Sequence, residues 1–288
     1  MTYKELLKYG EQALCGEGIF NYAADAWLLF QYVFKINRLD YLMEPQKEAD
    51  KKDEEFYREC IKVRGGHYPL QYITHGQNFM GLDFYVDERV LIPRQDTEVL
   101  AEHVLGFLKD EMSVLDMCTG SGCIITSLAA NRKLSRAVGA DLSAGALEVA
   151  SYNARENGQD NIEFIQSDLF ENIRGKFNVI VSNPPYIPSE EIETLMPEVR
   201  CCEPRMALDG SGDGLLFYKK IINSAAGHLC EDGMLFFEIG WDQAKAISGF
   251  LEEAGYTGIT VKKDLAGLDR VVYAVSPEKK EAEARTSA

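Results

Sequence analysis

The first 67 residues carry apolar side chains at helical spacing. The stripe on the first predicted helix consists of Leu6, Leu7, Gly10, Ala13 and Leu14. The same period continues from Ala26 to Val33, and Asp25 is a predicted helix cap ahead of it. Because both segments present one apolar face, residues 1–67 are predicted to form a small helical domain.

Between residues 68 and 96 the pattern becomes extended. Apolar positions from Phe79 to Leu91 lie among Gly76, Gly81 and Asp87, which are turn residues typical of a β-hairpin. We therefore expect residues 68–96 to form a β-hairpin linker between the helical domain and the rest of the chain.

From residue 97 onward, short apolar runs alternate with helical patterns. The predicted strands are Ser113–Met117, Ala137–Ala140, Glu163–Gln166, Phe177–Ser182, Met234–Ile239, Ile259–Lys262 and Val271–Val275. The predicted helices are Cys123–Ala130, Ala144–Asn157, Leu215–Leu229 and Gln243–Ala254. Such alternation is typical of βαβ units, so residues 97–277 are predicted to be an α/β domain with a mostly parallel sheet. Residues 278–288 have few apolar side chains and are predicted to be a disordered tail.

Composition narrows the possible functions. The 288 residues contain 30 Lys and Arg against 46 Asp and Glu, a net charge of −16, which argues against a generic nucleic-acid binder that must neutralise phosphates. The seven cysteines form no C-x-x-C pair and the four histidines are scattered, so neither a disulfide framework nor a metal site is expected. Because the first residues also lack the apolar segment of a secretion signal, we expect a cytoplasmic protein without membrane contact.

A glycine turn follows the first strand of the predicted α/β domain and leads into a helix. Gly120 and Gly122 allow the backbone to approach a ligand closely. Ile125 occupies the third glycine position of the dinucleotide-binding fingerprint, so the turn favours S-adenosylmethionine over a pyrophosphate cofactor. Asp141 and Asp168 follow the next two strands, where one carboxylate is predicted to bind the ribose hydroxyls and the other to frame the adenine.

The fourth predicted strand ends in Asn183, Pro184, Pro185 and Tyr186. Two consecutive prolines stop the strand and stiffen the loop, so the Asn183 amide and the Pro184 carbonyl are held in fixed geometry. Their oxygens can accept hydrogen bonds from a planar –NH2 group while the Tyr186 ring stacks on it. Such acceptors stabilise the positive charge that develops on the nitrogen during direct in-line methyl transfer.

Further motifs extend over nearly the whole chain: RGGHYPLQYI at 64–73, FMGLDFYVDERVLIPRQDTE at 79–98, LDMCTGSG at 115–122, NPPYI at 183–187, EPRMALDGSGDG at 203–214, FEIG at 237–240 and DLAGLDRVV at 264–272. Together they resemble the HemK/PrmC family, protein-(glutamine-N5) methyltransferases that modify the Gly-Gly-Gln motif of class 1 peptide chain release factors. Cys118 departs from the family pattern, which often has glycine there, and Leu268 stands where arginine or lysine is common.

The resemblance implies a Rossmann-like, class I S-adenosylmethionine-dependent methyltransferase domain with a seven-stranded sheet whose last strand is antiparallel. The implied cofactor site consists of Cys118, Thr119, Gly120, Ser121, Gly122, Asp141, Asp168, Leu169 and Asn183. Catalysis is assigned to Asn183, Pro184 and Tyr186, and binding of the substrate glutamine to the same residues together with Pro185.

The resemblance also implies roles outside these motifs. Arg94 and Glu98 either help to close the cofactor pocket or form an ion pair between the domains, whereas Glu203 and Arg205 are expected to support the catalytic loop. The helical domain is expected to dock the release factor, and the enzyme to act as a monomer.

Two other classes of function stay open. An adenine-N6 or cytosine-N4 nucleic-acid methyltransferase uses the same type of loop, but it must flip a base and bind phosphates, and this chain has no Lys/Arg cluster longer than a pair. A non-catalytic, cofactor-binding regulator of translation would not need an intact Asn-Pro-Pro-Tyr sequence. A dehydrogenase is disfavoured by Ile125.

Overall fold

The computed structural model describes residues 1–277, and the predicted disordered tail at 278–288 lies outside the described residues. The chain divides into two compact units. The first unit comprises Met1–Gly76 and Leu195–Glu203, and the second comprises Gln77–Thr194 and the described chain from Pro204. The domain boundaries that the sequence suggests at residues 67 and 96 stay a prediction.

The helices are, in chain order, α1 (Tyr3–Gly16), α2 (Tyr22–Phe34), α3 (Arg38–Met43), α4 (Lys51–Gly65), α5 (Leu70–Thr74), α6 (Gln95–Phe107), α7 (Cys123–Asn131), α8 (Ala144–Glu156), α9 (Pro197–Cys202), α10 (Arg205–Leu208), α11 (Leu216–His228) and α12 (Ala244–Glu253). The strands are β1 (Gln77–Phe79), β2 (Leu82–Phe84), β3 (Ser113–Met117), β4 (Arg136–Asp141), β5 (Ile162–Gln166), β6 (Phe177–Ser182), β7 (Leu229–Glu238), β8 (Thr257–Lys263) and β9 (Asp269–Val275). A short 3₁₀ helix covers Glu191–Thr194.

The first unit is a helical bundle around α1, α2 and α4. Its core contains Leu6, Leu14 and Phe30, all fully buried, so the apolar stripe predicted for the first helix does face the core. Helix α1 begins at a capping box, in which the Thr2 side chain accepts from the Glu5 backbone and the Glu5 side chain accepts from the Thr2 backbone.

The predicted cap at Asp25 is wrong. Helix α2 begins at Tyr22, and Asp25 lies inside it as a buried carboxylate. The Arg64 guanidinium of α4 forms an ion pair with Asp25 at 2.7 Å and a second one with Glu198 of α9. The prediction failed because the partner of the buried Asp25 carboxylate is Arg64, which lies on another helix. The local spacing of apolar residues gives no information about such a distant partner.

The second unit contains a seven-stranded sheet in the order β5-β4-β3-β6-β7-β9-β8. Neighbouring strands from β5 to β7 run parallel, and β9 is antiparallel to both β7 and β8. The predicted mostly parallel sheet with an antiparallel last strand is therefore confirmed. Apolar residues fill both faces of this sheet, as expected for strands covered by helices on two sides. The predicted strand from Met234 begins earlier, at Leu229, because pairing with β6 extends back to Phe177.

The predicted hairpin forms at the start of this unit. Strands β1 and β2 pair antiparallel, with Gln77 opposite Phe84. Phe79 and Phe84 are buried and join the core of one sheet face, so the hairpin packs on the α/β unit. Among residues 1–277, no helix combines the length and apolar character needed to cross a membrane.

Candidate active site

A cavity in the second unit lies at the carboxyl ends of β3, β4, β5 and β6, the edge at which ligands of parallel sheets bind. The predicted site residues that line it are Cys118, Thr119, Gly120, Ser121, Asp141, Asp168, Leu169, Asn183 and Pro185. The fold therefore gathers residues from four strand ends into one concave surface. The functional roles assigned to them stay predictions.

Three predicted site residues do not line the cavity: Gly122, Pro184 and Tyr186. Gly122 precedes α7 with a φ of +77°, and a Cβ there would lie 2.9 Å from the Ala150 Cβ of α8. This glycine is required by close packing of α7 and α8, since a side chain would force the helices apart. Pro184 is buried, and Tyr186 is half-buried and packs against the hydrophobic core on one face of the sheet.

Asp141 holds the glycine turn against the end of β4. Its Oδ2 accepts from the Gly120 backbone N–H at 2.9 Å, and its Oδ1 accepts from the Ser143 N–H at 2.9 Å. Burial raises the pKa of Asp141, and the backbone donors partly oppose that shift. Because a carboxylate offers about four lone-pair positions, Asp141 retains acceptor capacity toward the cavity after these two bonds. Its surroundings fit a ligand that carries vicinal hydroxyls.

Replacing Asp141 with alanine is expected to weaken S-adenosylmethionine binding by roughly 1–3 kcal/mol, about 5-fold to 150-fold in Kd, because a ligand hydroxyl loses its buried acceptor. Titration calorimetry measures the change. Asp160→Ala serves as the control, since Asp160 is exposed and does not line the cavity. An unchanged Kd for Asp141→Ala would mean that the ribose is bound elsewhere.

Two non-glycine residues of the cavity wall adopt left-handed backbone conformations. Cys118 has a φ of +62° and Leu169 a φ of +47°, conformations that favour glycine and cost side-chain-bearing residues of order 1–3 kcal/mol. The strain at position 118 shows why glycine would be favoured at this turn. Burial raises the pKa of the Cys118 thiol above its ordinary value, so the thiol stays protonated and is a poor nucleophile.

The Asn183 amide has a defined orientation. Its Nδ2 donates to the Thr97 hydroxyl at 3.3 Å. The amide oxygen, Oδ1, therefore points away from Thr97. The Tyr186 hydroxyl donates to the Glu238 carboxylate at 3.2 Å. Hydrogen bonds therefore connect Asn183 to α6 and Tyr186 to β7. The stacking role of Tyr186 stays a prediction.

Arg94 and Glu98 have different positions. Arg94 lines the cavity, whereas the Glu98 carboxylate accepts from the backbone N–H of Met80 at 2.6 Å and so fixes the turn of the β-hairpin. Glu203 is buried. The exposed Arg205 pairs with Glu193 at 3.2 Å.

Comparison with known proteins places these features in a family. Residues 5–74 match the family model described as the PrmC N-terminal domain, and residues 95–217 match the methyltransferase small domain. A release factor glutamine methyltransferase from Clostridium acetobutylicum is 40% identical over 260 residues, which cover 88% of this chain and 91% of the relative. One from Moorella thermoacetica is 38% identical over 283 residues, covering 96% of this chain and 100% of the relative. The chain belongs to the release factor glutamine methyltransferase family. The resemblance seen in the sequence is confirmed.

Solved structures support the fold of this family member. The M. jannaschii tRNA m1G37 methyltransferase has a TM-score of 0.50 at 19% identity, with 71% of this chain and 57% of that chain covered. The T. thermophilus 16S rRNA N2 G1207 methyltransferase, solved with AdoMet and guanosine, has a TM-score of 0.50 at 17% identity, with 70% and 49% covered. At these identities the likeness shows the fold alone.

The segment at 203–214, in which Glu203 and Arg205 are predicted to support the loop after β6, pairs with that loop through its backbone. The Ile187 N–H donates to the Leu208 carbonyl at 3.0 Å, and the Gly210 N–H donates back to the Ile187 carbonyl at 2.9 Å. The Gln243 side chain donates to the Tyr186 carbonyl at 2.9 Å. The motif at 203–214 therefore braces the loop mainly through its backbone.

A role for Asp116 was not predicted from the sequence. It lies in β3 directly before the glycine turn and is fully buried. Its Oδ2 accepts from the Thr119 hydroxyl at 2.6 Å and from the Ile125 N–H at 3.3 Å, whereas Oδ1 has no hydrogen-bond partner in residues 1–277. Burial raises the pKa of Asp116 to about 7. Asp116 is part of the LDMCTGSG motif at 115–122, and its place directly before the glycine turn is the sequence feature that points to it.

The raised pKa of Asp116 predicts a pH-dependent stability. Between the ordinary carboxyl pKa of 3.8 and about 7 the folded chain binds a proton that the unfolded chain releases, so this group lowers the free energy of unfolding as pH rises through that range. Asp116→Asn should remove this loss. Thermal unfolding at pH 5 and pH 8 tests it: the variant should gain stability over the wild type at pH 8, on the order of a few kcal/mol. An equal difference at both pH values would contradict the shift.

Proposed function

We propose that this chain transfers a methyl group from S-adenosylmethionine to the side-chain amide nitrogen of the glutamine in the Gly-Gly-Gln loop of a class 1 release factor. The observation that carries the proposal is Asn183, which lies at the cavity wall directly after β6 with its amide fixed by Thr97. Membership of the release factor glutamine methyltransferase family supplies the substrate class.

The residues of the cavity fit the cofactor. The glycine turn leaves open space beside Gly120, whose would-be Cβ meets no atom within 4 Å, and Asp141 keeps acceptor capacity for ribose hydroxyls. When bound, S-adenosylmethionine supplies an electrophilic methyl group on a sulfonium. Asp168 and Leu169 are the residues that would frame the adenine, and Cys118–Ser121 would hold the remainder.

The catalytic loop acts on the nucleophile. An amide nitrogen is a poor nucleophile because its lone pair is delocalised. Asn183 Oδ1 and the Pro184 carbonyl would accept the two N–H groups of the substrate amide, which aims its lone pair at the methyl donor. As positive charge develops on that nitrogen, both acceptors bind it more tightly than in the ground state. No general base is needed before transfer, since the proton leaves after the nitrogen is methylated.

Transfer of a labelled methyl group to a purified class 1 release factor tests the proposal. The matched acceptor carries alanine in place of the Gly-Gly-Gln glutamine, and duplex and single-stranded DNA are assayed alongside. Label on the intact factor alone is the expected result. Label on the alanine-substituted factor, or on DNA, would contradict glutamine as the acceptor.

The proposal extends to the cellular setting. We propose a cytoplasmic, monomeric enzyme that binds no DNA, because its proposed substrate, a release factor, acts on ribosomes. The formal charge of −16 favours a basic protein partner over nucleic acid. The helical first unit is the surface proposed to dock the release factor.

A further inference from the structure

Two walls of the cavity come from segments that are well separated in the sequence. One wall is the glycine turn, which supplies Cys118, Thr119, Gly120 and Ser121. Another is residues 85–94, termed the strap, which connect β2 to α6. The strap residues that line the cavity are Arg89, Val90, Leu91, Pro93 and Arg94. The shape of the cavity therefore depends on how the strap is held relative to the glycine turn.

Asn153 of α8 forms hydrogen bonds with both of these segments. It is 1% exposed and does not line the cavity. Its Nδ2 donates to the Ser121 carbonyl at 2.9 Å and to the Tyr85 carbonyl at 3.0 Å. Its Oδ1 accepts from the Tyr85 N–H at 2.7 Å. A single buried side chain thus joins the glycine turn to the first residue of the strap.

The backbone fixes both the orientation and the identity of this amide. A peptide N–H only donates and a peptide carbonyl only accepts, so the three contacts require two donors and one acceptor on one short side chain. Aspartate has the same length and keeps the acceptor, but when ionised it has no donor for the two carbonyls. Buried carbonyls without a donor are costly. Among side chains of this length, only asparagine satisfies all three backbone groups.

Other contacts of α8 hold the same two segments, but they do not replace this link. Ala150 packs closely on the glycine turn, since a Cβ at Gly122 would lie 2.9 Å from its own Cβ. Glu148 forms an ion pair with Arg89 of the strap at 2.9 Å. The Arg89 side chain is 43% exposed and that of Glu148 73% exposed, and ion pairs as exposed as this one contribute little to stability. Asn153 is therefore the buried polar connection between the two walls.

We propose that Asn153 is a positioning residue for S-adenosylmethionine, which holds the glycine turn and the strap at the separation that lets both contact the cofactor. The assignment deepens the proposed function and rests on it in one respect, because the proposed function makes this cavity the cofactor site. Without the link, the two walls would be correctly placed in only a fraction of the molecules. The apparent cofactor affinity falls with that fraction, whereas bound cofactor restores the correct arrangement.

Asn153→Asp tests the assignment, because it keeps the size and the acceptor of the side chain and removes both donors. Asn157→Asp is the matched control, with the same substitution at the end of the same helix. Asn157 donates to the carbonyls of Asp83 and Asn153, has no hydrogen bond to the glycine turn or the strap, and does not line the cavity. Calorimetry gives the Kd for S-adenosylmethionine, methyl transfer gives kcat and the KM of each substrate, and thermal unfolding without cofactor gives the stability.

Asn153→Asp should raise the Kd and the KM for S-adenosylmethionine about tenfold, as expected when about a tenth of the molecules have both walls in place. It should leave kcat at saturating cofactor, and the KM for the release factor, within about twofold of wild type. Asn157→Asp should match the wild type in all of these quantities. An unchanged cofactor Kd in Asn153→Asp, a loss confined to kcat or to thermal stability, or an equal rise in Kd in both variants would overturn the assignment.

Hydrogen exchange followed by NMR gives a test that needs neither a variant nor an acceptor substrate. The Tyr85 N–H, which donates to Asn153 and lies outside the cavity, should exchange about fivefold more slowly or less in the wild type when S-adenosylmethionine is bound, because the cofactor holds the two walls together. The Tyr256 N–H, which donates to the Leu251 carbonyl at 2.9 Å and also lies outside the cavity, should be unaffected.

Unchanged exchange at Tyr85 would overturn the positioning role of Asn153 even in a protein that methylates release factors. Slower exchange at Tyr85, together with a raised cofactor Kd in Asn153→Asp, would support the role even if no methyl group reached a release factor. That last result would contradict the proposed function alone, so the two failures are distinguishable.

Discussion

Replacing Asn183 with alanine should reduce methyl transfer to the release factor by about 100-fold to 1,000-fold, the usual cost of removing one preorganised group that stabilises transition-state charge. The loss should appear in kcat, because in the proposed mechanism the Asn183 oxygen binds the substrate nitrogen most tightly as charge develops on it. Cofactor affinity should stay measurable, since most residues that line the cavity around the cofactor are retained. Single-turnover transfer of labelled methyl and calorimetry with S-adenosylmethionine measure the two quantities.

Asn161→Ala is the matched control for this variant, because Asn161 is exposed and does not line the cavity. It should turn over at the wild-type rate. Near-normal transfer by Asn183→Ala would remove Asn183 from the mechanism. Loss of cofactor binding together with transfer would instead assign Asn183 to the cofactor site alone.

Replacing Gly214 with alanine should disable the enzyme through the loop rather than through the cavity. Gly214 has a φ of +71°, and a Cβ there would overlap the Tyr186 carbonyl oxygen and lie 2.8 Å from Nε2 of Gln243. Both neighbours hold the loop in place, since Gln243 donates to that carbonyl. Strain and overpacking together should cost roughly 2–5 kcal/mol of stability, and displacement of the loop by about 1 Å should lower kcat about 100-fold.

Gly212→Ala provides the comparison for Gly214→Ala within the same motif. Gly212 lies two residues away, has no positive φ, and a Cβ there meets nothing within 4 Å. Thermal unfolding and kcat should therefore be close to wild type in Gly212→Ala and reduced in Gly214→Ala. Equal behaviour of the two variants would show that the close approach to Tyr186 does not hold the loop.

The parts of the fold that were predictable are those set by local pattern. Strand β6 was predicted with the observed bounds, Phe177–Ser182, because it is a mostly buried and mostly apolar run that two prolines end abruptly. The positions of Asp141 and Asn183 at the cavity were predictable for a related reason: parallel strands align their carboxyl ends, so residues directly after such strands meet at one edge.

The parts that were not predictable depend on residues brought together from afar. Thr97 and Asn183 are separated by 86 positions, and Thr97 is indistinguishable from any polar residue in the first turn of a helix. Glu238 is part of the FEIG motif, but the motif does not indicate that Glu238 accepts a hydrogen bond from Tyr186. Asp25 was misassigned for the same reason, since Arg64 is 39 positions away. Pairing of this kind is a property of tertiary structure.

The segment Leu195–Glu203 belongs to the helical first unit although it is encoded within the α/β half of the chain. The polypeptide therefore passes between the two units three times, and the helical unit is not an appendage with a single joint. Deleting residues 1–76 would leave α9 behind without Arg64, the ion-pair partner of Glu198. A chimaera that exchanges substrate specificity between relatives consequently needs two grafts, the leading helices and the nine-residue insertion, and the two regions are expected to evolve in step.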